Sequence, residues 1–437
     1  MKAIIFKLLY QSIGEPPQGL KKDKVVYTLS HICIPDWIQL QDRSDSKRIA
    51  TDHWRSTLGG NYKNYLDYLS YQGFIEVCPS YEVGKYPKAY KIHEDYISNP
   101  EIVEINDFCL VRACQHKFKK PASQNIPRLD RWVQDTSLVL EPETIGYILS
   151  MHNKTGISTQ VNPKSLVYDL SLICKIEDGH RYGFRDYTSG RYHSIVSALS
   201  RRLRDRLRYK DQKLCEIDIR ACQPLISLIL MDECFYEESE TDKLTFNKLL
   251  NLTHLNKSII KSMKSMKLSF MLHEIRQLSD NQDVRLFKKI VLNGEVYEWI
   301  IEAVYQNLGT NITRDEAKES YCYSFYSGIS TAIPPEAKEE TKQLNGIKKV
   351  LKKILPNVFS IFNLFKVVDK SHLAILCQRI ESYIIIDRVT KKIPDNTPFW
   401  TIHDSIMTLE ENTGLIKQLI EDVFFEVTGL NPIIRIK

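Results

Sequence analysis

The chain has 437 residues, of which 43% are hydrophobic and 26% charged, with a formal net charge of +6. This composition excludes a disordered or fibrous chain and gives enough length for two or three domains with proper cores. The mild positive balance leans towards nucleic acid over an acidic partner without deciding it. Ten cysteines with no CxxC pair exclude a disulfide scaffold and fit reduced thiols in the cytoplasm. Cys109, Cys114 and His116 lie close together but lack an evident fourth metal ligand.

The opening segment MKAIIFKLLYQSIGEPP has a short apolar stretch broken by Lys7, Gln11 and Ser12, with no small-residue cleavage site after it. No signal peptide is expected, and no apolar run is long enough to cross a bilayer, so a soluble cytoplasmic protein is expected. Residues 1–100 read as one unit. Helices are predicted over 52–58 and 62–72 around Gly59 and Gly60, with Tyr65, Leu66, Tyr68 and Leu69 at helical spacing and Gly73 as the stop. Strands are predicted over 74–77 and 88–93, joined by a loop over 79–87. Helix, turn, helix and a hairpin with basic Lys85, Lys88 and Lys91 resemble a winged helix, whose recognition helix would enter a major groove. Tyr65, Tyr68 and Leu69 read as core side chains in preference to base-reading ones.

Residues 101–165, punctuated by Pro121, Pro127, Pro142 and Pro163, read as a helical linker or small subdomain. A third region, 166–437, carries the chemistry. Arg201, Arg202, Arg204, Arg206, Arg208, Lys210 and Lys213 are offset only by Asp205 and Asp211, while Leu199, Leu203 and Leu207 supply an apolar stripe. A basic amphipathic helix that tracks phosphates is one reading, and a solvated helix face the other. Lys257, Lys261, Lys264 and Lys267 repeat the pattern.

Three motifs stand out. In LCEIDIRACQP (214–224), a strand ends near Asp218 and a helix is expected from Pro224. Asp218 at such a junction is either a helix N-cap or a metal ligand. In FWTIHDSIMTL (399–409), two short strands meet at His403 and Asp404; an acid at an apolar bend needs a compensating partner, and a metal ion would supply one. Carboxylates from two neighbouring strands suit a pair of Mg²⁺ ions, which take few protein ligands and keep water and phosphate as the rest. In RDEAKESYCYSFYSG (314–328), Arg314, Lys318, Cys322 and Tyr326 recur every fourth residue along one helix face. Two cations for a triphosphate are thereby followed by an aromatic ring for a base or sugar. Glu381 and Ser382, in the helix expected before the second motif, are candidates for supporting the site, against the plainer reading of an ordinary helix face.

Together these motifs resemble the polymerase module of family A DNA polymerases and the related single-subunit phage-type RNA polymerases. Asp218 matches the metal-binding Asp of motif A. Arg314, Lys318 and Tyr326 match motif B, except that Ser327 separates the Tyr from Gly328. His403, Asp404 and Ser405 match motif C. SGRYHS (189–194) resembles the segment that contacts the primer–template backbone, with Arg191 as the matching residue; GEVYE (294–298) resembles a fingers segment of some mobile-element and phage relatives.

The resemblance covers roughly 180–437. It implies an α+β right-hand fold with palm, fingers at about 235–340 and thumb, following the winged-helix-like domain. It implies two Mg²⁺ ions, with Mn²⁺ as an alternative, held by Asp218 and Asp404. Arg314 and Lys318 would hold the nucleoside triphosphate, with Lys318 also a proton donor to pyrophosphate, and Tyr326 would pack near the nascent pair. Arg191, His403, Arg201, Arg204 and Arg208 would meet the primer–template. Gln223 stands where the DNA enzymes carry a Glu that helps exclude the ribose 2′-OH, and Ser405 follows the RNA enzymes, so the product stays open between DNA and RNA. A DNA polymerase without a proofreading domain is the leading expectation. A primase or small RNA polymerase, a non-enzymatic DNA-binding replication initiator and a metal-dependent nuclease are the rivals.

Overall fold

The computed structural model describes residues 1–35, 46–78, 87–117, 125–153, 163–237, 241–252, 257–266 and 268–437. Lys85, Pro121 and Lys267 lie outside the described residues. The fold is mixed α and β with helix predominating, and it divides into two compact units, Met1–Phe184 with Ser194–Leu214, and Arg185–His193 with Cys215–Lys437. Among the described residues no helix is long and apolar enough to cross a membrane. All ten cysteines are free thiols; Cys109 is exposed and Cys114 buried.

In the first unit the strand Lys2–Phe6 pairs antiparallel with Pro100–Glu104, and the helix Lys22–Cys33 covers it, with Ser30 Oγ accepting from the Ile4 amide at 3.0 Å. The helices Thr51–Leu58 and Tyr62–Tyr71 follow, as their periodicity predicts. Gly73, at φ 71°, lets the Phe74 amide turn back to the Leu69 carbonyl at 3.0 Å and ends the second helix. Tyr65, Leu66 and Leu69 are buried and Tyr68 is half-buried, which places the helix's apolar stripe in the core. Strands Ile75–Cys78 and Ala89–Ile92 form an antiparallel hairpin, with Lys47–Arg48 on the other side of the second strand. Lys91 is paired across that hairpin with Glu76 at 3.0 Å.

Helices begin at Pro127 and Pro163, where a first-turn proline loses no hydrogen bond. The basic run departs from its expected form. Only Arg201–Arg204 is helical, and Leu207–Tyr209 returns through a two-residue turn into the strand Gln212–Ile219. Lys210 and Asp211 both adopt left-handed backbone (φ 49° and 63°), the geometry that tight hairpins demand. Pairing of Leu207–Tyr209 with Leu138–Leu140 overrides the helical periodicity.

In the second unit a sheet carries Phe399–Ile402, Ser405–Leu409 and the continuation of Gln212–Ile219, with Ile434–Ile436 antiparallel to the last. Helices surround it. Phe325 sits in an aromatic core with Phe287, Phe359 and Phe362, at centroid distances of 5.8, 4.8 and 5.4 Å, which locks the helix Arg314–Tyr326 by its buried face. The helix His372–Ser382 continues into a π-helical turn, Tyr383–Val389, a widening that recurs next to functional groups.

Candidate active site

The strand Gln212–Ile219 delivers Asp218 near its end. The chain then turns through Ala221 in left-handed backbone (φ 50°) into the helix Cys222–Ile229. This helix starts two residues before Pro224, because proline is tolerated throughout a first helical turn. Its N-cap is Ala221, with no side-chain cap bond, so Asp218 is not a helix cap. Instead Asp218 Oδ2 accepts from Lys437 Nζ at 2.6 Å.

His403 and Asp404 form the two-residue bend between Phe399–Ile402 and Ser405–Leu409, where Ile402 faces Ser405. His403 is left-handed (φ 54°). A non-glycine residue in that region stores about 1–3 kcal/mol of strain and persists where surrounding structure insists on it. The His403 ring lies edge-on to His193 at 5.7 Å, and His193 Nε2 meets Asp186 Oδ2 at 3.1 Å.

Asp404 is the electrostatic centre. Burial first, then the nearby Glu381 and Asp218 charges, push its carboxyl up to about 7, against the opposing effects of its backbone hydrogen bond and Lys318. Asp218, Glu381 and Lys318 are thus all within Coulombic reach of Asp404. Cys222 feels the same surroundings: burial lifts its thiol well above the usual range, with Asp404, Glu381 and Asp218 adding to the effect and Arg191 opposing it.

Glu381, fully buried, accepts from Arg191 Nε at 2.7 Å and from the Arg191 terminal nitrogen at 2.9 Å. Its other neighbour is the Gln223 side-chain amide. A carboxylate only accepts, so Gln223 gives it the NH₂ and turns its carbonyl to the Tyr326 hydroxyl, 3.4 Å away. Arg191 is therefore held by Glu381, and Gln223 bridges the first motif to the third. Segment 185–193 is fastened to the same long helix by Arg185 on Asp387 at 2.8 and 2.5 Å, and by Arg379, which donates to the Thr188 carbonyl at 2.8 Å.

Along the helix Arg314–Tyr326, opened by a Thr313–Glu316 capping box, Arg314, Lys318 and Cys322 are exposed and Tyr326 half-buried. The expected stripe exists as one face. Arg314 donates to Glu298 at 3.0 Å and lies over the Tyr297 ring at 5.1 Å; Arg220 reaches the same Glu298 oxygen at 3.3 Å. Gly294, at φ 68°, permits this arrangement, since a Cβ there would meet Arg220 and Ile433 carbons at 3.0 Å. Ser327, the residue that separates Tyr326 from Gly328, accepts from Lys348 Nζ through its hydroxyl at 2.9 Å and from Lys366 Nζ through its carbonyl at 3.1 Å.

In the first unit Arg208 is half-buried and paired with Glu141, Arg204 donates to the Leu199 carbonyl at 2.7 Å, and Arg201 is exposed. Glu298, Glu216 and Lys437 were not singled out by the sequence. Glu216 and Glu298 lie within quoted motifs, whereas nothing local marks Lys437.

Among the described residues no group of three or more His, Cys, Asp or Glu side chains is arranged to hold a metal ion. Glu381 is already committed to Arg191 and Gln223. Asp218 carries Lys437, and a Mg²⁺ ion at the two aspartates would take water and phosphate as its remaining ligands. Like-charge crowding at Asp404 is what a divalent cation would relieve.

No protein-family model matches the chain, and no curated protein matches it. Among solved structures it is similar to the POL domain of Pol1 from M. smegmatis in complex with DNA primer-template and dNTP, at 14% identity and a TM-score of 0.26, over 66% of this chain and 54% of that one. The chain spans about half the length of that structure, and a likeness this slight carries no argument about the site.

Proposed function

We propose that the chain is a template-dependent nucleic-acid polymerase of the family A type that extends a primer 3′-OH with nucleoside triphosphates. The observation that carries this reading is that Asp218 and Asp404, from two separate motifs, and Glu381, from the helix His372–Ser382, lie within Coulombic reach at Asp404, with Lys318 opposing them. Asp218 and Asp404 would hold Mg²⁺, which when bound lowers the pKa of the attacking hydroxyl and offsets charge on the phosphates. Arg314 and Lys318, on the exposed face of one helix, would hold the triphosphate, and Lys318 would give a proton to the departing pyrophosphate. Tyr326 and Gln223 would border the nascent pair. Arg191 and His403 would face the primer–template, and so would Arg201, Arg204 and Arg208. The hairpin and helix pair of the first unit would act as a winged-helix-like DNA-binding domain.

A ribonucleotide-incorporating enzyme is the second reading, favoured by Ser405, which follows the RNA enzymes where the DNA enzymes usually carry Glu. Primer extension with ribo- and deoxyribonucleotides, with and without a primer, tests both. Extension that survives Asp218→Asn and Asp404→Asn, or no extension under any condition while DNA is bound, would leave a DNA-binding initiator as the better account. Shortening of labelled primers without nucleotides would point to a nuclease.

A further inference from the structure

The Lys437 backbone is fixed opposite Glu216, donating to its carbonyl at 2.9 Å and accepting from its amide at 3.1 Å. The register places Ile436 against Ile217 and Arg435 against Asp218. From that anchor the side chain reaches along the neighbouring strand to put Nζ 2.6 Å from Asp218 Oδ2. The ammonium retains contact with solvent, at 36% side-chain exposure against 21% for Asp218.

The three acids are compensated differently. Glu381 has the Arg191 guanidinium and Asp218 has Lys437. Asp404 has, among the described residues, no cation at ion-pair distance, and its backbone hydrogen bond and the more distant Lys318 oppose the crowding around it. The protein thus supplies its own cation at one of the two aspartates assigned to metal.

We propose that Lys437 is a resident competitor for the divalent cation at Asp218, so that loading of this carboxylate is an exchange of ammonium for metal. The inference rests on the reading of Asp218 as a metal ligand. Mg²⁺ binds carboxylate oxygen at about 2.0–2.1 Å and demands close octahedral order. An ammonium on the same oxygen blocks that approach and repels the ion. The Lys437 side chain is a flexible four-carbon stem with a solvent route, while its backbone is held by two hydrogen bonds. Exchange therefore needs rotation of one side chain and no movement of the sheet. Lys437 weakens metal binding and keeps the aspartate compensated until metal arrives.

The test is Mn²⁺ binding to the full chain, read by the loss of free-ion electron paramagnetic resonance signal, for the unaltered protein, Lys437→Met and Asp218→Asn. Lys437→Met keeps the apolar stem and removes the charge; it is expected to bind Mn²⁺ about tenfold more tightly, the factor that roughly 1.4 kcal/mol of relieved repulsion represents. In the unaltered protein, acetylation of Lys437 by an amine-reactive reagent, followed by mass spectrometry, is expected to speed up when Mg²⁺ is added. Asp218-dependent binding that Lys437→Met leaves unchanged or weakens would overturn the exchange while leaving the metal reading in place. Binding no different between the unaltered protein and Asp218→Asn would overturn both.

Discussion

The Ser405 hydroxyl donates to the Glu216 carboxylate at 2.9 Å. Each residue lies one or two positions from a candidate metal ligand, so this bond fixes the spacing of the two strands that carry Asp218 and Asp404. A hydrogen bond to a charged acceptor is worth about 1.5–3 kcal/mol, and partial exposure of Glu216 lowers that. Ser405→Ala is expected to cost about 1–2 kcal/mol in urea unfolding. A double-mutant cycle with Glu216→Gln should return a coupling of about 1 kcal/mol. Additive single costs would mean that the two strands are held by other contacts.

Asp218→Asn and Asp404→Asn should each lower primer extension by about 10³-fold or more, since each removes several kcal/mol of stabilisation of the transferring phosphoryl group. DNA affinity, read by fluorescence anisotropy at fixed salt, should change little, because phosphate contacts dominate it.

Asp404 gives the site a pH dependence of definite sign. Burial, Glu381 and Asp218 lift its carboxyl to about 7, above the unfolded value of about 3.9. Between those values the folded state holds a proton that the unfolded chain has lost, so stability in chelator falls as pH rises from about 4 to 7. Asp404→Asn should therefore be more stable than the unaltered protein at pH 8, by about 1–3 kcal/mol, with the gap closing towards pH 4. Thermal melts across that range measure it. Metal binding should release a proton below pH 7, visible as a buffer-dependent calorimetric heat.

Glu298 holds Arg314 at 3.0 Å and Arg220 at 3.3 Å. It links the first motif to the start of the third. All three side chains are partly exposed, so Glu298→Gln should change stability by less than about 1 kcal/mol. If Arg314 binds triphosphate, loosening its anchor should raise the nucleotide KM about three- to tenfold with a smaller change in kcat. A fall in kcat at constant KM would place Arg314 outside the nucleotide site.

Local pattern alone determined a good part of this protein. Helical spacing around Tyr65 and Leu69, the arginine-to-tyrosine stripe of the third motif and the apolar hairpin bent at His403 and Asp404 all lie where their periodicity put them. Such signals are legible because side-chain period and turn chemistry act over a few residues. Tertiary structure decided the rest. The basic run became a hairpin because Leu207–Tyr209 found Leu138–Leu140 as a partner strand. Glu381 became a buried mate for Arg191, and Lys437 came to rest on Asp218. These pairings join residues far apart in sequence, and they depend on strand register and helix packing, which no short stretch of chain encodes by itself.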